Sequence, residues 1–502
     1  MGRFIFRICC GLLAVIVAGL LIGSTAFKPA QAQASPYCQL TEAEVAQKDA
    51  LRNMALQGDR DSQDSYRRLV ADHRDRLRRC RRESWLRTQA LWIRLYPCDA
   101  NPGALEALLD HMVNRGYNQV YVEVFGSGQV LLPRNDNPTP WPSVVRNDAE
   151  GSTDLLQEAI DKGRDRGLEV YAWLFGMNFG YSYAQNPNHQ NTLARNGRGQ
   201  NSADFLIAGS LQGGEINGEE EVFIDPYNNQ AKLDYYTLVQ AVLRRRPDGV
   251  LFDYIRYPRG NGGDSVAGRV QDLWIYGPSS QQALLQRATN LSGQEIIRRF
   301  LSRGSITMQD VNDLAERFPQ DEQPLWQGIA PDPAYALAAP EARRPFLQTQ
   351  LWQLAVAHAF QGVLDFVAMA AAPVQQRNLP AGAVFFPEAN QAVGSGGYDS
   401  RLQPWDRFSG TLQWHPMAYG TCGNTSCIVS QVQRVLERAP RGTKVIPVLA
   451  GTWRQSVRNR PPLEAQMESI HAAAPQIDAI SHFAYSWQEP ESDRDRKFCR
   501  VR

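Results

Sequence analysis

From about residue 90 onward this 502-residue chain repeats one pattern: a short apolar run, then an amphipathic helical stretch. The apolar runs fall at residues 91–96, 119–125, 169–175, 249–254, 383–387, 412–417, 444–449 and 479–485. Apolar runs of this length are strands buried on both faces, and helices between them make each connection a parallel crossover. Eight such units predict a closed (β/α)8 barrel. A doubly wound sheet is the competing architecture, but no Gly-x-Gly-x-x-Gly turn supports a dinucleotide site.

Residues 248–258, Asp-Gly-Val-Leu-Phe-Asp-Tyr-Ile-Arg-Tyr-Pro, begin as the fourth strand and end in a carboxylate, a guanidinium and two phenols. Barrel enzymes carry their chemistry at the carboxyl ends of strands, and Asp253 falls there. The competing reading is a buried ion pair with Arg256.

That stretch closely resembles the signature of the glycosyl-hydrolase-like family 10 domain, a group of bacterial barrel proteins distinct from the family 10 xylanases. Further segments resemble the same group: Leu91-Trp92-Ile93-Arg94, residues 116–123, residues 167–173, Ile224-Asp225-Pro226-Tyr227-Asn228 and Pro416-Met417-Ala418-Tyr419-Gly420. The likeness spans roughly residues 88 to 490. It implies a glycoside hydrolase acting on a cell-envelope polysaccharide. Some members are linked to peptidoglycan glycan strands without stem peptides, which makes those strands the leading substrate.

Residues 1–34 read as a secretion signal. Arg3 and Arg7 precede an apolar stretch at 8–22, and Ala30-Gln31-Ala32 and Ala32-Gln33-Ala34 offer cleavage sites. The stretch is short for a membrane span, and the expectation is that no span remains after cleavage. Export to the periplasm, envelope or exterior follows. Removing these residues leaves 50 basic against 52 acidic side chains, so no basic field recommends nucleic acid as a partner. A neutral polysaccharide suits the balance better.

Six cysteines then remain: Cys38, Cys80, Cys98, Cys422, Cys427 and Cys499. In an exported chain an even number argues for disulfides. Cys422 with Cys427 would staple one loop, Cys38 with Cys80 would clamp a helical hairpin, and Cys98 with Cys499 would tie the first strand to the last. Fifteen connectivities are possible for six cysteines. Residues 35–87 read as a helical extension and residues 88–502 as the barrel domain. Long connections at 176–222 and 259–348 leave the carboxyl end of the barrel.

Glycoside hydrolysis needs two carboxyl groups flanking the scissile bond. Asp253 is assigned as nucleophile or base, its charge held by Arg256 and the phenols of Tyr254 and Tyr257; related barrel glycosidases carry a nucleophile on strand four. Glu388 is assigned as the acid, because Phe385, Phe386 and Pro387 would raise its pKa. Glu123 is the rival acid or a hydroxyl ligand. Asp225 is a substrate contact or, on the plainer reading, the cap of the following helix, and Glu489 a rim contact. Trp173, Tyr254, Tyr257, Tyr419, Trp453 and Trp487 are candidate platforms for sugar faces, with core packing as the alternative. No cofactor or metal is expected: His415 and His482 lie on strands six and eight, but strand one has no His-x-His. Strand seven ends in Gly451-Thr452-Trp453 without a carboxylate, so a binding protein that lacks catalysis is the second functional reading.

Overall fold

The computed structural model describes residues 37–146, 152–204 and 221–500; the expected signal at 1–34 lies outside them. Eight parallel strands close into a barrel: β1 (Thr88–Ile93), β2 (Gln119–Gly126), β3 (Glu169–Phe175), β4 (Gly249–Asp253), β5 (Ala381–Phe385), β6 (Gln413–Ala418), β7 (Val448–Ala450) and β8 (Ala479–Phe483). Each pairs with its sequence neighbour, and β1 closes the ring on β8. The period-two alternation of a strand then decides which residues fill the barrel.

Trp92 (β1), Tyr121 (β2) and Tyr171 (β3) stand side by side in register and face inward. Trp92 meets Tyr121 edge-on at 4.8 Å, and Tyr121 meets His415 of β6 at 5.6 Å. Two glycines make this crowding possible. A Cβ at Gly249 would come within 2.3 Å of the Tyr171 ring, and one at Gly382 within 2.8 Å of the His415 imidazole. Large side chains from some strands are thus accommodated by empty positions on others.

Outside the strands, the longest helix is Pro340–Gln375, which leads from β4 to β5. It is long and apolar enough to cross a membrane, so the expectation that no such segment exists fails on composition. Two thirds of its most apolar window is buried in this fold, against β4, β5 and the helix Asn229–Leu243. From β5 to β6 the chain has no α-helix among the described residues, only two short strands, Ala392–Val393 and Gly397–Asp399, and a 3-10 turn, Trp405–Arg407. The Trp405 ring, fully buried, stacks on Phe385 at 4.9 Å and covers the sheet there.

The segment before the barrel is a helical hairpin, α1 (Glu42–Leu56) and α2 (Arg60–Glu83). Thr41 and Glu44 form a capping box on α1, and Asp59 caps α2. The hairpin is docked on the barrel by a buried polar cluster. Asp110, with no exposed surface, accepts hydrogen bonds from Arg166 (2.9 Å), Arg52 (3.1 Å) and the Tyr66 hydroxyl (2.6 Å), with Lys48 at 3.8 Å. Three disulfides form, Cys38–Cys80, Cys98–Cys499 and Cys422–Cys427, the three pairings expected.

Candidate active site

At the carboxyl end of the strands the barrel opens into a cavity of about 190 Å³. Inward positions of six strands, or residues just past them, line it: Trp92 and Arg94 from β1, Trp173 and Phe175 from β3, Asp253 and Tyr254 from β4, Val384 and Phe386 from β5, Met417 and Tyr419 from β6, and Phe483 from β8, with Arg256 beyond β4. The walls are therefore mostly aromatic, with a single carboxyl group among the described lining residues.

That carboxyl is Asp253, the last residue of β4 and 7 % exposed. One oxygen accepts the Tyr254 backbone N–H at 2.7 Å and the other the Trp173 indole N–H at 3.1 Å. Burial pushes its pKa up to about 6; the two donors and the Arg256 charge oppose that only in part, and the Glu123 charge adds to it. The expected low pKa is thus corrected. Tyr254 offers its backbone rather than its phenol. Tyr257 is wholly buried and its hydroxyl donates to the Ala359 carbonyl at 3.3 Å. Arg256 contributes charge but no hydrogen bond: one nitrogen donates to the Tyr257 carbonyl at 2.9 Å and another lies 3.8 Å from Glu221.

Tyr254 sits in the left-handed region, at φ 51°, where a bulky residue is strained. The turn aims its ring onto Phe175 at 4.2 Å and under the Arg256 guanidinium at 4.7 Å. This strain falls where the chain leaves β4, beside the single carboxyl among the described lining residues.

Glu123 faces the same end from β2. Its carboxylate accepts Arg94 Nε at 2.7 Å, and its charge reaches Asp253. Glu388 does not line the cavity. It accepts a hydrogen bond from Gln431 of the helix Ser426–Leu436, and Gln431 in turn accepts the Gly420 N–H. After Phe386 the chain turns outward: Gln403 holds the Phe386 N–H at 3.1 Å and Trp405 the Pro387 carbonyl at 3.2 Å, so Glu388 leaves the barrel interior.

Of the remaining candidates, Trp173, Tyr254 and Tyr419 reach the cavity and Trp453, Trp487 and Asp225 do not. Trp453 turns to the outer side of the sheet, against Tyr37 at 5.2 Å and His482 at 5.4 Å, with its N–H donated to the Tyr117 hydroxyl. Trp487 lies under Arg458 and Arg460, the latter bonded to the Tyr419 carbonyl. Asp225, also wholly buried, accepts the backbone N–H groups of Tyr227 (3.0 Å) and Ser280 (2.8 Å), and burial raises its pKa to about 6. It ties two loops together; the cap of the helix Asn229–Leu243 is Asn228. Glu489 is not at the rim but pairs with Arg115 and His111.

The two strand histidines face opposite ways, His415 inward beneath the cavity and His482 outward to Tyr117, each with its pKa pushed down by burial to about 3. A buried Ser280–His358 contact of 3.0 Å looks like half of a nucleophilic dyad. Arg287 donates to the other His358 nitrogen at 2.9 Å, where such a dyad needs an acceptor, and both residues are sealed from solvent.

Seven lining residues escaped the sequence reading as site members: Trp92, Arg94, Phe175, Val384, Phe386, Met417 and Phe483. Their signal is register. Counting inward positions from one strand to the next brings them level with the cavity, but only once the pairing is known.

No family model matches the chain, and no curated protein matches it in sequence. Among solved structures it is similar to a GH18 chitinase from Pseudoalteromonas aurantia (11 % identity, TM-score 0.36, covering 81 % of this chain and 97 % of that one). It is also similar to a GH20 exo-β-N-acetylglucosaminidase from Vibrio harveyi, in a structure with N-acetylglucosamine (10 % identity, TM-score 0.37, 82 % and 53 %). A hypothetical protein from Ruminiclostridium thermocellum is similar over 34 % of this chain and 77 % of its own (16 % identity, TM-score 0.24). The chain spans about half the length of the Vibrio harveyi enzyme.

Proposed function

We propose that this protein is an exported glycoside hydrolase acting on a cell-envelope polysaccharide, with peptidoglycan glycan strands as the leading substrate. The observation that carries the reading is Asp253: a carboxyl at a strand's end, in an aromatic cavity, with its pKa raised to about 6. A carboxyl that keeps its proton up to about pH 6 can give it to a glycosidic oxygen as the bond breaks. This makes Asp253 the general acid, exchanging the role first assigned to it. Glu123, paired with Arg94, supplies the second carboxylate, whose negative charge favours the oxocarbenium-like transition state, and water adds to the anomeric carbon, its proton returning to the ionised Asp253. Trp92, Trp173, Phe386 and Phe483 offer apolar faces for the C–H side of sugar rings. The resemblance of residues 248–258 to the glycosyl-hydrolase-like family 10 signature supports the same class, and three disulfides suit an oxidising compartment.

A second reading is a carbohydrate-binding protein without catalysis, favoured by the presence of a single carboxyl group among the described lining residues. The experiment that separates them is mass spectrometry of peptide-free peptidoglycan glycan strands after incubation with the protein or with Asp253→Asn. The hydrolase reading expects shortened strands from the first and not from the second. Strands bound but left intact by both would establish the binding protein.

A further inference from the structure

We infer that Arg94 is a carboxylate-recognising fork that selects glycans bearing an acidic substituent on the sugar held beside β1. The inference deepens the glycosidase reading and rests on it for the kind of ligand, a sugar chain. Two guanidinium groups line the cavity, and they are used differently. Arg256 is 6 % exposed; one nitrogen is bonded to the Tyr257 carbonyl, another faces Glu221, and its plane lies by the Tyr254 and Phe223 rings at 4.7 and 5.3 Å. Burial, the Tyr257 carbonyl and the flanking rings hold it within the protein.

Arg94 is not committed in this way. It follows β1 in the inward register of Ala90 and Trp92, and its side chain is 49 % exposed where that of Glu123 is 12 % exposed. Only Nε is engaged, by Glu123 at 2.7 Å. The two terminal nitrogens have no partner among the described residues. Glu123 therefore acts as a buttress that fixes the guanidinium, leaving its terminal edge to present two parallel N–H donors. That edge matches a carboxylate, which accepts both donors at once; a neutral hydroxyl accepts no such pair. A fork held by one carboxylate and open at its other edge is suited to a second carboxylate, supplied by the ligand. Two kinds of sugar carry one: a ring with a uronic acid group, and a ring with a lactyl ether, as on alternate sugars of a peptidoglycan strand.

The test uses protein carrying Asp253→Asn, so that ligand is not consumed, and isothermal titration with glycans of equal length. The ligands are peptide-free peptidoglycan strands, the same strands with every carboxyl converted to the methyl amide, and a uronate oligomer. The expected result is binding of the free-acid strands about tenfold tighter than the amidated ones, a ratio that shrinks at high salt. Adding Arg94→Gln brings the two within about twofold, while Arg94→Lys keeps part of the preference, the fork being lost but not the charge. Tighter binding of the uronate oligomer than of the free-acid strands would make the ring carboxylate the cognate group. Equal affinity for free and amidated strands, an unchanged ratio in Arg94→Gln of unaltered melting temperature, or no binding of any glycan overturns the inference. A preference without cleavage by the wild type sinks the hydrolase and leaves the fork; cleavage without a preference sinks the fork alone.

Discussion

Two aspartates are buried in this molecule under opposite conditions. Asp110 lies where the α1–α2 hairpin meets the barrel; Asp253 lies at the cavity wall. Burial alone would push both carboxyl groups toward the neutral form. Around Asp110 that push is outweighed by Arg166, Lys48, the Tyr66 hydroxyl and Arg52, and its pKa falls below the usual value. Around Asp253 only two neutral N–H donors touch the carboxyl, the nearby cation being shared with Glu221, and the pKa rises to about 6. The number of cations in direct contact separates a carboxylate held charged from a carboxyl that can keep its proton; Asp225, raised alike but outside the cavity lining, shows that position as well as pKa singles out Asp253.

The largest way to break this comparison is Asp110→Ala. It leaves Lys48, Arg52 and Arg166 without their shared anion, and urea unfolding is expected to show a loss of about 3–5 kcal/mol. Turnover per folded molecule stays at the wild-type level, because the cluster is remote from the cavity. Asp253→Asn shows the reverse pattern. Hydrolysis falls by about 10²–10³-fold, read as strand shortening per hour.

Stability of the same Asp253→Asn variant moves the other way. A raised carboxyl favours the folded state fully below the ordinary Asp range, and that contribution is lost as pH rises from about 4 through about 6. Relative to wild type the variant should gain up to about 3 kcal/mol between pH 4 and pH 7, measured by unfolding at both. No gain would mean that Asp253 is not protonated in the fold. Glu388→Gln is expected to change hydrolysis by less than about threefold, since its partner is Gln431 and not a cavity group; a loss as large as that of Asp253→Asn would restore it as the acid. The smallest effect concerns Trp173→Phe. Removing the indole donor disfavours the charged form of Asp253, so the pH at which activity falls off on the alkaline side moves upward by about half a unit.

Most of the barrel was legible because buried parallel strands are short, apolar and bounded by polar residues. β3 runs over the span expected. β1 begins three residues earlier than its apolar run, since Thr88 and Gln89 read as polar; Gln89 is in fact buried, accepting from Arg81. β7 is regular over only three residues, with Pro447 just before it. The site was legible where chemistry and strand end coincide, as at Asp253, Tyr254 and Tyr419. It was illegible where a side chain's face depends on pairing. Glu388 and Trp453 stand three residues past the ends of β5 and β7, where the chain has already turned outward, while Asp253 is still the last residue of β4. Arg94, conversely, is an ordinary arginine in the sequence and becomes distinctive only through Glu123.

The Cys98–Cys499 bond joins positions 401 apart in sequence, one just past β1 and the other after β8. The barrel domain is therefore a covalent ring as well as a ring of hydrogen-bonded strands. A protease that nicks the long excursion between β4 and β5 opens this loop without releasing a fragment, and the two halves migrate together in a denaturing gel until a thiol is added. A chain cut there has new ends but no lost strand, which makes the excursion the natural place to relocate its termini.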